Sequence, residues 1–159
     1  MAQSRARKLV SGDVATNRKA RQRYELLERF EAGIALRGSE VKSLREGRAQ
    51  LADAYAAIED GEVWLRGVHI PPYAPAANQN HDPDRPRKLL LHRYEIERLF
   101  GRTQQRGLTL VPTRIYFKGS RAKVELALAR GKHHRDRRRE LKERDLRREI
   151  DRELRRRAR

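Results

Sequence analysis

What most constrains this chain is an alternation of apolar and polar residues, with period two, on either side of tight turns. Leu108, Leu110, Ile115 and Phe117 precede Lys118-Gly119-Ser120, and Val124, Leu126 and Leu128 follow it. Successive side chains of a strand point to opposite faces, so this pattern predicts an antiparallel hairpin with one buried face. Pro112 interrupts the first run, and a residue without an N–H belongs at a bulge or an edge. Asp60-Gly61 predicts a second hairpin between Ala52–Glu59 and Glu62–Ile70, because a two-residue turn needs the left-handed backbone that Asp and Gly tolerate. Upstream, Tyr24–Leu36 reads as two shorter strands around a bend, with Phe30, Ile34 and Leu36 inward and a bulge or bend at Gly33.

Two helices join these strands. Ser39 as N-cap, Glu40 in the first turn, Val41 and Leu44 on one face and Gly47 beyond predict a two-turn helix. Leu90, Leu91, Tyr94, Leu99 and Phe100 fall near helical spacing, which predicts a helix from Leu89 to about Gln105, split at Gly101. Between the two, Pro71–Arg87 is a long irregular connection, and such connections in compact domains are usually functional or mobile. The expected fold is mainly β with helices: an OB-like closed antiparallel β-barrel with two to three flanking helices. Pattern alone does not separate this from a split sandwich.

The last stretch obeys a different rule. Residues 131–159 carry 14 Lys+Arg against 7 Asp+Glu, with Leu141, Leu146, Ile150 and Leu154 as their only large apolar residues. That is too little apolar surface to offset the entropy of ordering the segment alone. Yet Leu146, Ile150 and Leu154 recur every four residues, and Glu140/Arg144, Glu143/Arg147 and Asp151/Arg155 are acid-first pairs that favour a helix. The segment is expected to be disordered or helical, folding on contact with a partner. The chain is thus expected to divide into a flexible basic N-terminus (1–16), an OB-like barrel domain (17–130) and a basic C-terminal tail (131–159), one domain's worth of sequence in 159 residues.

A formal net charge of +17 concentrates polyanions around such a molecule. With no cysteine, thiolate metal sites, disulfides and cysteine nucleophiles are excluded. No apolar run reaches membrane-spanning length and the first residues lack the apolar centre of a secretory signal, so the expectation is a cytoplasmic protein without membrane contact. His81 beside Asp82, assisted by His69 or His92, would be the general base of a nuclease, but adjacent side chains seldom orient toward one another. His133-His134 among arginines reads as a solvated basic run, and no glycine-rich phosphate loop precedes a helix. No enzyme activity, metal or cofactor is expected. The basic residues say more. Asn17-Arg18-Lys19-Ala20-Arg21 with Arg23, Lys42 with Arg45 on one helical face, and Arg85, Arg87 and Lys88 are three clusters at element boundaries, suited to phosphate contacts that fix register without reading bases. Aromatic residues are only 6% of the chain, which makes base stacking a minor theme. On alternation alone, Trp64 is as well placed in the core as in a contact.

Several strings recur together in a known order: Asn17–Arg21, Phe30-Glu31-Ala32-Gly33-Ile34, Gly38–Arg45, Arg85-Pro86-Arg87-Lys88-Leu89-Leu90-Leu91-His92, Leu108–Pro112 and Lys123–Lys132. Across about residues 17–144 the chain resembles the SmpB family of bacterial trans-translation. The resemblance implies a non-enzymatic, monomeric RNA-binding factor that binds the tRNA-like domain of transfer-messenger RNA. It implies delivery of that RNA, with elongation factor Tu as an indirect partner, to the A site of stalled ribosomes. There the tail would enter the empty mRNA channel beside the decoding centre of the small subunit and become helical. Carried over by position, Asn17, Glu31, Leu91 and Lys123 match family residues that engage the tRNA-like domain. Arg18, Lys19, Arg21, Lys42 and Arg45 stand beside them as electrostatic candidates. For Glu31 a structural role in the bend is equally open, and for Leu91 a place in the core. In the tail, Gly131-Lys132, Asp136-Arg137-Arg138 and Leu141-Lys142-Glu143-Arg144 occupy the places of family strings, which makes Gly131, Lys132, Asp136, Arg137, Arg138, Leu141, Lys142 and Arg144 the ribosome-binding candidates. The chain departs from the family at Gln22 and Arg135, where His is common, and at Leu146, where some members carry Trp. An OB-type ribosomal or ribosome-assembly protein with a basic tail is the alternative.

Overall fold

The Asp60-Gly61 turn forms as its residues dictate: both adopt positive φ, 50° and 74°, and join β3 (Tyr55–Glu59) to β4 (Glu62–Arg66). The second hairpin pairs β6 (Leu108–Lys118) with β7 (Arg121–Gly131) through a turn in which Gly119 has φ 63°. The computed structural model describes residues 12–105, 107–132 and 134–158, with the backbone alone for 134–137. The remaining elements are β1 (Gly12–Thr16), α1 (Arg18–Arg23), β2 (Tyr24–Ile34), α2 (Gly38–Arg45), β5 (Arg87–Leu90), α3 (Arg93–Thr103) and α4 (His134–Arg157), with a 3₁₀ turn at Ala74–Gln79.

Among the described residues the strands form one seven-stranded sheet in the order β1-β6-β3-β4-β5-β2-β7, every pairing antiparallel. β7 also pairs with β6, so the hydrogen bonding of β2 to β7 returns on itself. Inward positions of these strands, among them Val63, Leu65, Leu89, Leu110, Ile115, Val124, Leu126 and Leu128, are almost completely buried together with Leu44 of α2 and Leu99 of α3. Trp64, between Val63 and Leu65, therefore points outward and is half-buried.

The bulge expected at Pro112 is present as a register shift between Pro112 and Arg114. Its carbonyls are not wasted: Asn17 donates its backbone N–H to Thr113 O at 2.7 Å and its side-chain amide to Pro112 O at 3.0 Å. The same side chain accepts from Ala20 N at 3.2 Å, capping α1. Ala20 then packs on Val111, Ala127 and Ala129, outward positions of β6 and β7 that α1 covers.

Several expectations change. β1 occupies residues 12–16, within the segment expected to be a flexible terminus, because Val14 and Ala15 pack against the core; residues 1–11 lie outside the described ones. α1 was not anticipated, since six residues with one buried alanine carry no visible period. Tyr24–Ile34 is one strand whose irregularity lies between Leu26 and Glu28, not at Gly33. Gly33 stays in the ladder, where a Cβ would stand 3.2 Å from Leu90 Cβ; the glycine permits close approach of β5. Arg87–Leu90 is strand rather than helix, so α3 starts at Arg93, with the Glu95 carboxylate accepting from His92 N, and runs unbroken through Gly101. α2 begins before Ser39, where the Glu40 carboxylate accepts from Arg37 N at 2.8 Å.

Candidate nucleic-acid interface

Ser39 is withdrawn from capping by a deeper contact, and Glu40, whose carboxylate caps α2 through Arg37 N–H, holds buried partners as well. Glu40 is fully buried and accepts from Arg85 Nη2 at 2.6 Å and from the equally buried Arg87 Nε at 2.9 Å. Arg87 also donates to Val68 O at 2.7 Å and Pro83 O at 2.9 Å, which locks the long connection onto α2. Burial alone would raise the Glu40 pKa, but Arg85, the Arg37 N–H and Arg87 outweigh it and hold the carboxyl below its usual value. Burial pulls Arg87 downward against the pull of Glu40. The phosphate-contact reading of the third basic cluster is thereby corrected: Arg87 is sealed inside, Arg85 is committed to Glu40, and Lys88 pairs with Glu62 at 2.9 Å.

His81 is corrected in the same way. Its Nδ1 meets Ser39 Oγ at 2.8 Å and its Nε2 meets Ile70 O at 2.8 Å, so both ring nitrogens of this buried residue hold the loop in place. His69 pairs with Asp84 at 2.8 Å and His92 stacks on Tyr94 with centroids 5.5 Å apart. Among the described residues no three His, Asp or Glu side chains are placed to hold a metal ion. Among the described residues no helix is long and apolar enough to cross a membrane.

The other candidates lie on the outside. Arg18, Lys19 and Arg21 project from α1, whose position is set by buried Asn17. Lys42 and Arg45 share a face of α2, and the Lys42 ammonium sits 5.6 Å from the centre of the Tyr73 ring. Leu91 is half-buried against the core beside exposed Leu90. Lys123 of β7 lies opposite both Tyr116 and Gly33.

Glu31, awkward for a phosphate surface when read from sequence, accepts a very short hydrogen bond from the Tyr116 hydroxyl and pairs with Lys118 at 3.3 Å. The Tyr116 contact, aided by Lys118 and nearby Lys123, holds the Glu31 carboxyl below its usual pKa against a smaller opposing effect of burial. Burial and the Glu31 charge push the Tyr116 hydroxyl up to about 12. Alongside, Arg114 lies 4.2 Å from the Tyr116 ring centre and bonds Asp13 and Glu125 at 2.8 and 2.9 Å. Thr113 Oγ1 and Arg114 together hold Glu125 low although burial opposes them. Each carboxylate on this outer face is thus matched by a base or a hydroxyl. Tyr116, Arg114 and Glu125 were missed by sequence reasoning; their signal was the outward half of the alternation already used to find the core.

Between the end of β2, α2, β5 and the β6–β7 turn lies an open cavity of about 420 Å³. Ile34, Leu36, Val41 and Leu90 supply apolar surface, Arg121 and Lys123 line it as cations, and among the described residues lining it there is no carboxylate.

The tail leaves the sheet beside α1. Gly131 pairs with Tyr24 and Lys132 N–H donates to Arg23 O at 3.0 Å. The Lys132 ammonium bridges Arg21 O at 2.9 Å and Glu140 at 2.5 Å, and a cavity of about 190 Å³ opens between Gln22, Arg23, Glu140, Leu141 and Arg144. Arg138, Leu141, Lys142 and Arg144 are exposed on α4, as are Leu146, Ile150 and Leu154. The side chains of Asp136, Arg137 and Arg135 lie outside the described residues.

A family model described as SmpB protein matches residues 14–156. The chain is 57% identical over 154 residues to the SsrA-binding protein of Acidothermus cellulolyticus, covering 97% of this chain and 94% of that one. It is 56% identical over 142 residues to the SsrA-binding protein of Carboxydothermus hydrogenoformans, covering 89% and 95%. A chain of a solved structure described as "tmRNA-SmpB: a journey to the center of the bacterial ribosome" superimposes with a TM-score of 0.65 at 53% identity, covering 76% of this chain and 85% of that one.

Proposed function

The chain belongs to the SmpB family, and from that premise we propose that it is the RNA-binding factor of trans-translation: it binds the tRNA-like domain of transfer-messenger RNA and brings it to the A site of stalled ribosomes. The observation that carries this reading is a match running through the body and on into the tail, to residue 156. The protein is a binding factor and not an enzyme. A factor that works on the bacterial ribosome acts in the cytoplasm. Elongation factor Tu enters as an indirect partner through the charged RNA it carries.

In this reading the self-closing circuit of β2 to β7 is an OB-like barrel, residues 17–130 recognise RNA, and residues 131–159 read the empty mRNA channel. The exposed cations Arg18, Lys19 and Arg21 of α1 and Lys42 of α2, with half-buried Arg45 of α2 and Lys123 of β7, meet phosphates. Asn17 and Glu31 serve them indirectly, the first by seating α1 and the second by holding Tyr116 and Lys118. Leu91 contributes through its half-buried flank. Gly131 and Lys132 set the root of the tail, and Asp136, Arg137, Arg138, Leu141, Lys142 and Arg144 provide its ribosome contacts. The OB-type assembly protein weighed from sequence has no observation in its favour.

The test is gel-shift binding of the full chain to a transfer-messenger RNA acceptor domain and to an unstructured RNA of equal length, at two salt concentrations. A preference that survives high salt is expected, because shape recognition persists when counterion release no longer helps. Equal affinities that collapse together with salt would reduce the molecule to a nonspecific polycation and sink the assignment.

A further inference from the structure

We propose that the outer face of β3, β4 and β5 is a protein-docking surface, suited to a Lys/Arg-rich segment of a partner that lays an aliphatic side chain on Trp64. None of the residues assigned to RNA above lies on it.

Register builds this surface. Val63 and Leu65 point into the core, so Glu62, Trp64 and Arg66 point out, and pairing with β3 sets Tyr55 opposite Arg66, Ala57 opposite Trp64 and Glu59 opposite Glu62. On its other side Trp64 meets Lys88 of β5. Between small Ala57 and the Lys88 stem the half-buried indole makes a shelf, and Tyr55, on the same face, is 47% exposed. Tryptophan, tyrosine and arginine are the residue types that most often anchor protein interfaces. The shelf is already rigid. The Asp60-Gly61 turn closes the hairpin, and Arg66 Nη2 donates to both Glu59 oxygens, at 3.0 and 2.9 Å. Little ordering is left for a partner to impose.

Charge selects the occupant. On a chain of net charge +17, this face and its turn carry Glu59, Asp60 and Glu62 against Arg66 and Lys88. Both cations are already bonded, Arg66 to Glu59 and Lys88 to Glu62, each at 2.9 Å, while Asp60 has no ion-pair partner among the described residues. Glu59 and Glu62 stand directly opposite one another, an arrangement that destabilises a hairpin and that the fold itself does not require. A polyanion would meet these carboxylates and no free cation. A second copy would set the same carboxylates against each other. A basic segment meets carboxylates it can share, with an aromatic shelf between them. Physiological salt screens charges beyond about 8 Å, so the local carboxylates outweigh the positive remainder of the molecule.

Trp64 is the single tryptophan of the chain, so its fluorescence reports on this face directly. The full chain is titrated at physiological salt with a Lys/Arg-rich peptide that carries leucines, and with a matched peptide in which Asp and Glu replace the basic residues. The basic peptide is expected to shift Trp64 emission saturably, and the acidic peptide to leave it unchanged. Glu62→Lys reverses one half-exposed charge and keeps the reporter. It is expected to weaken the basic peptide about ten-fold, while acceptor-domain RNA binds it like the unaltered protein. If Glu62→Lys responds to the basic peptide as the unaltered protein does, or if the acidic peptide shifts the emission equally, this face does not select a basic partner and the proposal falls. If acceptor-domain RNA shifts Trp64 emission and displaces the peptide, the face belongs to the RNA and not to a protein. If deleting residues 132–159 by itself changes Trp64 emission, the occupant is the chain's own tail, and a separate partner is ruled out.

Discussion

At the scale of single residues the molecule separates charges that hold it together from charges that face outward. Glu40 is the clearest case, since its fully buried carboxylate is the common partner of Arg85 and Arg87. Replacing it by Gln leaves Arg87 buried without a counter-charge, and loss of about 3 kcal/mol is expected, measured by urea unfolding. The pH dependence follows from the depressed pKa. A carboxyl that titrates lower in the folded than in the unfolded chain stabilises the fold fully above its usual value of 4.5, and this is lost as pH falls below that value. Unfolding curves between pH 6 and acid should therefore show a decline for the unaltered protein that is smaller in Glu40→Gln. An unchanged acid profile in the variant would mean that other carboxylates carry the dependence. Residue chemistry also explains what could be read in advance and what could not. The positive character of Arg85, Arg87 and Lys42 was legible, but which of them meets solvent depends on Glu40, forty-five residues or more from the two arginines along the chain.

At the scale of elements, legibility followed how local the determining forces are. Both hairpins were readable because turn chemistry and alternation lie within a short window. β5 was misread because Leu89-Leu90-Leu91 is a continuous apolar run whose period is ambiguous, and pairing with β2 and β4 decides it. α1 escaped because its support is tertiary: a cap from Asn17, an anchor in the bulge of β6, and one alanine on three small residues. Asn17→Ala removes the cap and the side-chain hydrogen bond to Pro112 O, and a loss of about 1 kcal/mol is expected. Acceptor-domain affinity should drop while the salt slope is kept, because α1 is displaced but its cations remain. A reduced slope with unchanged stability would instead make Asn17 a direct contact.

At the scale of the whole molecule the two parts obey different physics. The sheet is stabilised by its own core, whereas α4 exposes Leu141, Leu146, Ile150 and Leu154, so little beyond its own hydrogen bonds and charge pairs supports it. Deleting residues 132–159 keeps β7 intact and is expected to leave most acceptor-domain binding while abolishing tagging of stalled chains in a reconstituted translation assay. Loss of RNA binding on truncation would show that the tail belongs to the recognition surface and undo the division into body and tail.

The union of Gly131 with Tyr24, and of Lys132 with α1, has a mechanical meaning. It makes a lever whose fulcrum adjoins the helix that carries Arg18, Lys19 and Arg21. Twenty-four residues of α4 extend roughly 36 Å at 1.5 Å per residue, so a rotation of about 10° at the root sweeps the far end through some 6 Å, about the width of one helical turn. An RNA seated slightly askew on α1, where the proposed function puts it, would thus be magnified into a gross misplacement at the tip.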